Sequence, residues 1–365
     1  ARFLKDGQAL CKLNPPTATR TFVAYNMPDN AYMTGMYLAS QVMRHGATGN
    51  EAAARQVRQS LEALHLLCTV SGTPGLLARA AWPAGEPMAD DGIWRPSPDG
   101  AYRWRGDVSS DQVAGVVYGY VYAYERFAGP KAQARIRTDL VALADHIAAG
   151  ERRIVGHDGE PTAWGRYDAD YVRAREPMNA LLYLQLLKAV AHVTGEPERA
   201  AAYRRVALDE GYAEVAVRAR RTFNPLLRGA VNHSDDVLLF LAYSTLFMLE
   251  DDPALLRHYQ DSLRRFWRGN GTQPGVAPEA NPLFAFLVAQ YGEGIGDVDL
   301  AAARTTLVRF PFTMKWNTAT RKQYAESFGF DPAHAAPQSP PPEPGAPVPI
   351  DRRVKSWSAW VMDPY

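Results

Sequence analysis

The chain has 365 residues, of which 47% are hydrophobic, 22% charged and 11% aromatic, a composition that buries a sizeable core and excludes global disorder. Forty Lys and Arg against 39 Asp and Glu leave a formal charge of +1, so no excess is available to neutralise a polyphosphate backbone or hold an anionic membrane, and no nucleic-acid partner is expected. One large domain of repeated units is the economical reading of the length.

Along the chain, apolar side chains at three- and four-residue spacings predict helices over residues 36–44, 51–68, 113–127, 132–149, 180–193, 198–220, 237–250 and 254–267. No long alternating strand pattern stands out. Joints at 46–50, 128–130, 194–197, 251–253 and 294–299 combine Gly, Pro or Asp with a fresh helix start. Five helical hairpins result, and the ends leave room for a sixth. The longest apolar run, 237–249, is interrupted by Tyr243, Ser244 and Thr245 and falls short of the roughly 20 residues of a spanning helix, so it reads as a buried core helix and no membrane span is expected. Two cysteines, Cys11 and Cys68, cannot make a thiolate metal site; a disulfide between them and two free thiols are both open. Ala1 opens the chain without a charged-then-apolar leader, so any export signal has been removed or never existed.

Thoroughly apolar segments such as 180–193 read as inner helices, and charged amphipathic ones such as 132–149 and 198–220 as outer helices. A polar cluster precedes each inner segment: Asp29 and Asn30; Asp107 to Asp111; Glu176 to Asn179; Asn232 to Asp236; Glu279 to Asn281. If inner and outer helices alternate and close into a ring, all five clusters converge on one rim.

This run of hairpins, together with Asp29-Asn30, Trp104-Arg105-Gly106-Asp107, Ser109-Ser110-Asp111, Pro161-Thr162-Ala163-Trp164-Gly165, Asn232-His233-Ser234-Asp235-Asp236 and Pro278-Glu279-Ala280-Asn281-Pro282, resembles bacterial (α/α) toroids of the six-hairpin glycosidase and polysaccharide lyase type. The resemblance covers residues 20–330 and concerns layout. It implies an all-α toroid of five or six hairpins over residues 1–330, a cleft across one end, a polysaccharide or oligosaccharide as partner, and acidic or His/Tyr/Arg chemistry in the cleft.

Glycoside hydrolysis needs one carboxylic acid to protonate the leaving oxygen and a second carboxylate to activate water or attack the anomeric carbon. Asp29, Asp107, Asp111, Asp235, Asp236 and Glu279 are the available carboxylates, each also a candidate helix cap, Asp111 and Asp235 most of all. Asp235-Asp236 ranks first as the catalytic source, because two adjacent carboxylates at a helix start cannot both be the cap. Asp107 and Asp111 are the next catalytic candidates. Trp104 and Arg105 suit a sugar ring, an indole beneath its apolar face and a guanidinium on its hydroxyls. Trp164 and Tyr167, in a turn-rich excursion, are further stacking platforms, and Asn30, Asn179 and Asn281 are amides for substrate hydroxyls.

A rival reading uses His233 as base and Asn232 to neutralise a uronate, as the Asn-His element of alginate-lyase-like enzymes implies, with Arg105, Arg166, Arg173 and Arg175 for positive field. The carboxylates of Asp235 and Asp236 next door oppose a uronate, so hydrolysis leads. A non-catalytic carbohydrate-binding protein on the same fold is the third reading. Asp168-Ala169-Asp170 lacks the spacing of a calcium loop and no His-Glu-x-x-His occurs, so no dedicated metal site and no cofactor is expected, and a divalent ion among the clustered Asp residues stays open. Residues 331–350, rich in proline, predict a linker or strap. Residues 351–365, with Trp357, Trp360, Met362 and Tyr365, predict an aromatic segment docked on the helical body. A periplasmic or secreted location fits a polysaccharide partner.

Overall fold

The computed structural model describes residues 4–309 except 11, 15–17, 23, 222, 225–229, 232, 272–274 and 294, and of residues 12–14, 223, 224, 230, 231, 233, 308 and 309 the backbone alone. The expected strap and docked aromatic segment, residues 331–365, and Cys11 lie outside the described residues. Cys68 is a free, buried thiol.

The described chain is mostly helical. Its α-helices are α1 (Asn30–Thr48), α2 (Glu51–Thr69), α3 (Ser110–Arg126), α4 (Pro130–Ala149), α5 (Ala169–Ala174), α6 (Met178–Thr194), α7 (Pro197–Arg204), α8 (Tyr212–Val217), α9 (His233–Leu249), α10 (Pro253–Arg268), α11 (Pro282–Tyr291) and α12 (Leu300–Arg309). The chain divides into two compact units, residues 1–215 with 248–250, and residues 216–247 with 251–365.

In the first unit, α1/α2, α3/α4 and α6/α7 are the expected hairpins. Gly49 and Gly195 close α1 and α6 in the left-handed region, at φ 64° and 66°, as helix C-terminal glycines do. The inner helices α1, α3 and α6 run side by side with their N-termini together: Gln112 near the start of α3 donates to the Asp29 carboxylate at the start of α1 (3.1 Å), and Ser110 donates to Asn179 at the start of α6 (3.4 Å). Glycines inside α1 and α3 make the approach possible. A Cβ on Gly35 would sit 1.9 Å from the Gly115 carbonyl, and one on Gly119 would sit 2.5 Å from the Gly35 carbonyl, so any side chain there pushes the helices apart.

Two expectations need correction. The helix predicted over 198–220 is broken: α7 passes into a π-helical turn, Arg205–Asp209, and Gly211 at φ 70° ends it before α8. Short strands also occur. Ala80–Pro83, Tyr102–Arg105 and Trp94–Pro96 form an antiparallel three-stranded sheet with Tyr102–Arg105 in the centre, and Arg153–Val155 pairs with Pro161–Arg166. Strands of three to six residues are too brief for alternation to register as a pattern.

In the second unit, α9 is apolar on every face and buried along residues 236–247. Phe240 stacks on Phe284 of α11 (centroids 3.9 Å apart, 15° between planes) with Phe266 of α10 edge-on. The buried Tyr243 hydroxyl finds Ser262 of α10 at 2.7 Å.

Candidate functional site

The polar clusters at the starts of α1 and α3 meet at a residue that the sequence reading did not single out, Arg79. It stands just before the strand Ala80–Pro83 and is only 9% exposed. Its Nε donates to the Asp107 carbonyl (2.5 Å), its Nη1 donates to the Pro28 carbonyl (2.9 Å), and the same nitrogen lies 3.5 Å from the Asp29 carboxylate. Burial lowers the Arg79 pKa, while Asp29, Asp111 and Asp107 act to raise it. Three carboxylates from two separate clusters therefore bear on one guanidinium.

Their environments differ. Asp107 is exposed and holds φ 54°, a left-handed conformation that Asp tolerates better than most side chains but that still carries strain. Its carboxylate accepts from the Ala163 N–H (3.4 Å). Asp111 sits in the first turn of α3 and burial pushes its carboxyl up, with Arg79 pulling the other way. Asp111 is not the cap. Ser109 occupies that position, and Gln112 Oε1 accepts from the Ser109 N–H (2.9 Å) and hydroxyl (2.6 Å), the reciprocal half of a capping box. Asp29 holds the N-cap position of α1 without a side-chain cap bond, its carboxylate given to Gln112 and Arg79 instead. Asn30 and Asn179 are buried, and Asn179 donates to the Arg166 carbonyl (2.8 Å).

The aromatic and arginine candidates separate sharply. Trp104 is 1% exposed and its indole N–H donates to the Pro96 carbonyl (3.3 Å), so it is a core side chain and not a sugar platform. Arg105 is committed to Asp90 through bonds of 2.8 and 3.0 Å; Asp90 also accepts from the N–H of Met27 and Gly92 and from the Trp94 indole. That hub, invisible in the sequence, takes the clamp away from any ligand. Trp164, by contrast, is 61% exposed, on the same strand as Ala163 and so one residue from the Asp107 contact. Tyr167 is 1% exposed and offers no ring face to solvent.

In the second unit the leading sequence candidate turns inward. Asp236 is 0% exposed, and the Arg221 Nη2 lies 2.5 Å from both its carboxylate and that of Glu279. The Arg221 Nε adds bonds of 3.2 Å to both Asp236 oxygens. Asp236 and Glu279 thus form a sealed ionic cluster with Arg221 and do not face a cleft. The reason lies in the helix itself: Asp236 opens the run of α9 that is buried through Phe247, so its carboxylate turns inward with the apolar side chains that follow. Asp235, half-buried, shares that first turn. Asn281 is the N-cap of α11, accepting from the Leu283 N–H (3.0 Å). Asn232 and the His233 side chain lie outside the described residues.

Among the described residues no cluster of three or more His, Cys, Asp or Glu is arranged to hold a metal ion, and no helix is long and apolar enough to cross a membrane. No protein family matches the chain, and no curated protein matches it. It is similar to one solved structure, a metagenome-derived glycoside hydrolase family 9 endoglucanase, at 15% identity over 80% of this chain and 65% of that one, with a TM-score of 0.32. The chain thus spans just under two thirds of that neighbour's length, and a likeness so slight carries no argument about fold or activity.

Proposed function

We propose that the protein is a carbohydrate-active enzyme that hydrolyses a glycosidic bond of a polysaccharide or oligosaccharide, with Asp111 as general acid and Asp107 as the second carboxylate. The observation that carries this reading is the contrast between the two aspartates set around Arg79. Burial raises the Asp111 carboxyl, so it holds its proton to higher pH than an exposed aspartate, as an acid that must protonate a leaving oxygen requires. Asp107 is open to solvent, where a carboxylate can activate water or attack an anomeric carbon. Arg79 fixes the Asp107 main chain and the Asp29 carboxylate, and so holds the constellation without entering the chemistry. Trp164, exposed beside Asp107, supplies a platform for the apolar face of a sugar.

The test is a panel of neutral and uronate polysaccharides, read in parallel for new reducing ends and for the ultraviolet absorbance of an unsaturated uronate. Reducing ends without absorbance are expected, and Asp111→Asn should lower kcat about 10²–10⁴-fold, the usual share of general acid–base catalysis. Absorbance from a uronate polymer would establish elimination instead, and wild-type turnover by Asp111→Asn would remove Asp111 from the mechanism.

A further inference from the structure

Two cavities in the first unit lie apart from the carboxylates around Arg79, and their charges are arranged differently. One, of about 500 Å³, is walled by Arg152, Arg199 and Arg205 among apolar side chains. Each of these arginines has a carboxylate: Arg152 and Arg205 share Glu210, at 2.5 and 3.6 Å, and Arg199 holds Asp145 at 2.5 Å. Those cations are already matched within the protein.

The other cavity, of about 410 Å³, lies between α2 and the turn from α3 into α4. Leu61, Phe127, Ala128 and Ile136 give it an apolar wall, and Arg58, Glu62, Lys131 and Arg135 give it charge. Glu62 is taken by Arg135 at 2.5 Å. Arg58 reaches over the Phe127 ring, 6.0 Å from its centroid, and neither Arg58 nor Lys131 has a carboxylate within ion-pair distance among the described residues. Three cations against one carboxylate leave this apolar pocket with two unmatched positive charges, one on α2 and one on α4. Phe127 and Ala128 are half-buried, and Arg58 and Lys131 are exposed, so solvent reaches both the wall and the charges. Asp111 and Phe127 mark opposite ends of α3, about 24 Å apart along its axis, so the pocket is no part of the candidate catalytic site.

Sites for small ligands are concave, mostly apolar and roughly 300–1,000 Å³ in volume, with a few charged groups that fix orientation. A neutral apolar molecule would cover the wall and use neither charge. A phosphate ion would use the charges and leave the wall wet. A carboxylate carried on an aromatic ring meets both demands, since guanidinium pairs well with carboxylate and a ring packs well on Phe127.

We propose that this pocket binds a small aromatic monocarboxylate, with its ring against Phe127 and Leu61 and its carboxylate toward Arg58 and Lys131. The assignment goes beyond the glycosidase reading, and neither depends on the other.

The experiment is calorimetric titration of the full chain with naphthoate and with its neutral counterpart, naphthylmethanol. Naphthoate should bind saturably and more weakly as salt is added, and the alcohol should bind about threefold to thirtyfold more weakly than the acid, the range that two exposed ion pairs give. Arg58→Gln together with Lys131→Gln should bring naphthoate down to the affinity of the alcohol at an unchanged melting temperature. Ala132→Phe, which fills the pocket from α4, should remove the binding of both. No saturable binding of naphthoate, equal affinity for acid and alcohol, or wild-type affinity in the double variant would overturn the proposal. Wild-type binding by a folded Ala132→Phe would place the ligand elsewhere and overturn it too. Should Ala132→Phe fail to fold, the double variant, exposed at both positions, decides the matter.

Discussion

Arg79 and Arg221 are each nearly buried and each hold carboxylates from separate stretches of chain, yet the two regions are built for opposite ends. Around Arg221 everything is closed: the Arg221, Asp236 and Glu279 side chains are 3%, 1% and 3% exposed. Around Arg79 exposure is graded, from the buried guanidinium through Asp111 to the open Asp107. Two carboxylates that share a guanidinium in a dry place are held charged and immobile. A carboxyl raised by burial, near another that is open to water, gives two carboxyl groups in unlike environments, which is what acid–base work needs. Composition alone does not separate these cases; access to water does.

The largest expected effect comes from opening the closed region. Arg221→Met leaves Asp236 and Glu279 buried without their cation and should destabilise the protein by roughly 3–5 kcal/mol, the usual result of removing one member of a buried ion pair, seen as a lower urea midpoint. Asp236→Asn comes next. It keeps the shape and leaves Glu279 on Arg221, so a loss of about 1.5–3 kcal/mol is expected, the range for a hydrogen bond to a charged group. Should Asp236→Asn keep full stability and abolish turnover, the two regions would have exchanged roles.

Asp111→Asn sharpens the comparison from the other side, through the sign of its effect. Because burial raises the folded Asp111 pKa, its contribution to stability is present in full below the ordinary aspartate value, about 3.9, and is lost as pH rises through the folded value. Asparagine cannot ionise and escapes that loss. The melting temperature of Asp111→Asn relative to wild type should therefore climb between acid and neutral pH, while the enzyme becomes inactive. A variant less stable than wild type at neutral pH would mean that the ionised carboxylate is a structural member, as Asp236 is.

How far the sequence led can be judged from particular side chains. The helical hairpins of α1/α2, α3/α4 and α6/α7 were legible because a helix burying one face repeats its apolar residues every three or four positions. The shared phase of Asp29, Asp111 and Asn179 was legible for the same reason: it is fixed by helix starts. Which carboxylate stays wet was not. Asp236 looked the stronger candidate because it adjoins Asp235, but the unbroken apolar run that follows it, residues 237–242, was the signal that its side of the first turn would be dry. Trp104 was misread as a platform because charged residues flank it; on a strand, neighbours face opposite ways, so Arg103 and Arg105 beside it are what an inward Trp104 requires. Arg79 carried a signal too, as the only charge in the apolar run 76–82. Asp90 and Arg221 carried none, since the charge that each pairs with, Arg105 and Asp236, lies 15 residues away in both cases.

The smallest effect expected tests whether exposure alone orders these arginine–carboxylate pairs. Arg152 and Glu210 are 2.5 Å apart with side chains 23% and 29% exposed, between the sealed cluster and the open one. The Arg152 guanidinium holds the Glu210 carboxyl below its ordinary value, against the opposing effect of burial. A depressed carboxyl contributes stability that is present above the unfolded value, about 4.3 for glutamate, and lost as pH falls through the lower folded value. Glu210→Gln should thus cost about 1 kcal/mol or less at neutral pH, and its difference from wild type should vanish in acid. Added salt should also shrink the difference, because solvent reaches this pair. The Asp236→Asn difference should hold at the same ionic strength, since the Arg221 and Asp236 side chains are only 3% and 1% exposed. Equal salt sensitivity in the two variants would show that depth of burial does not set the rank, and the contrast drawn between Arg79 and Arg221 would then need another cause.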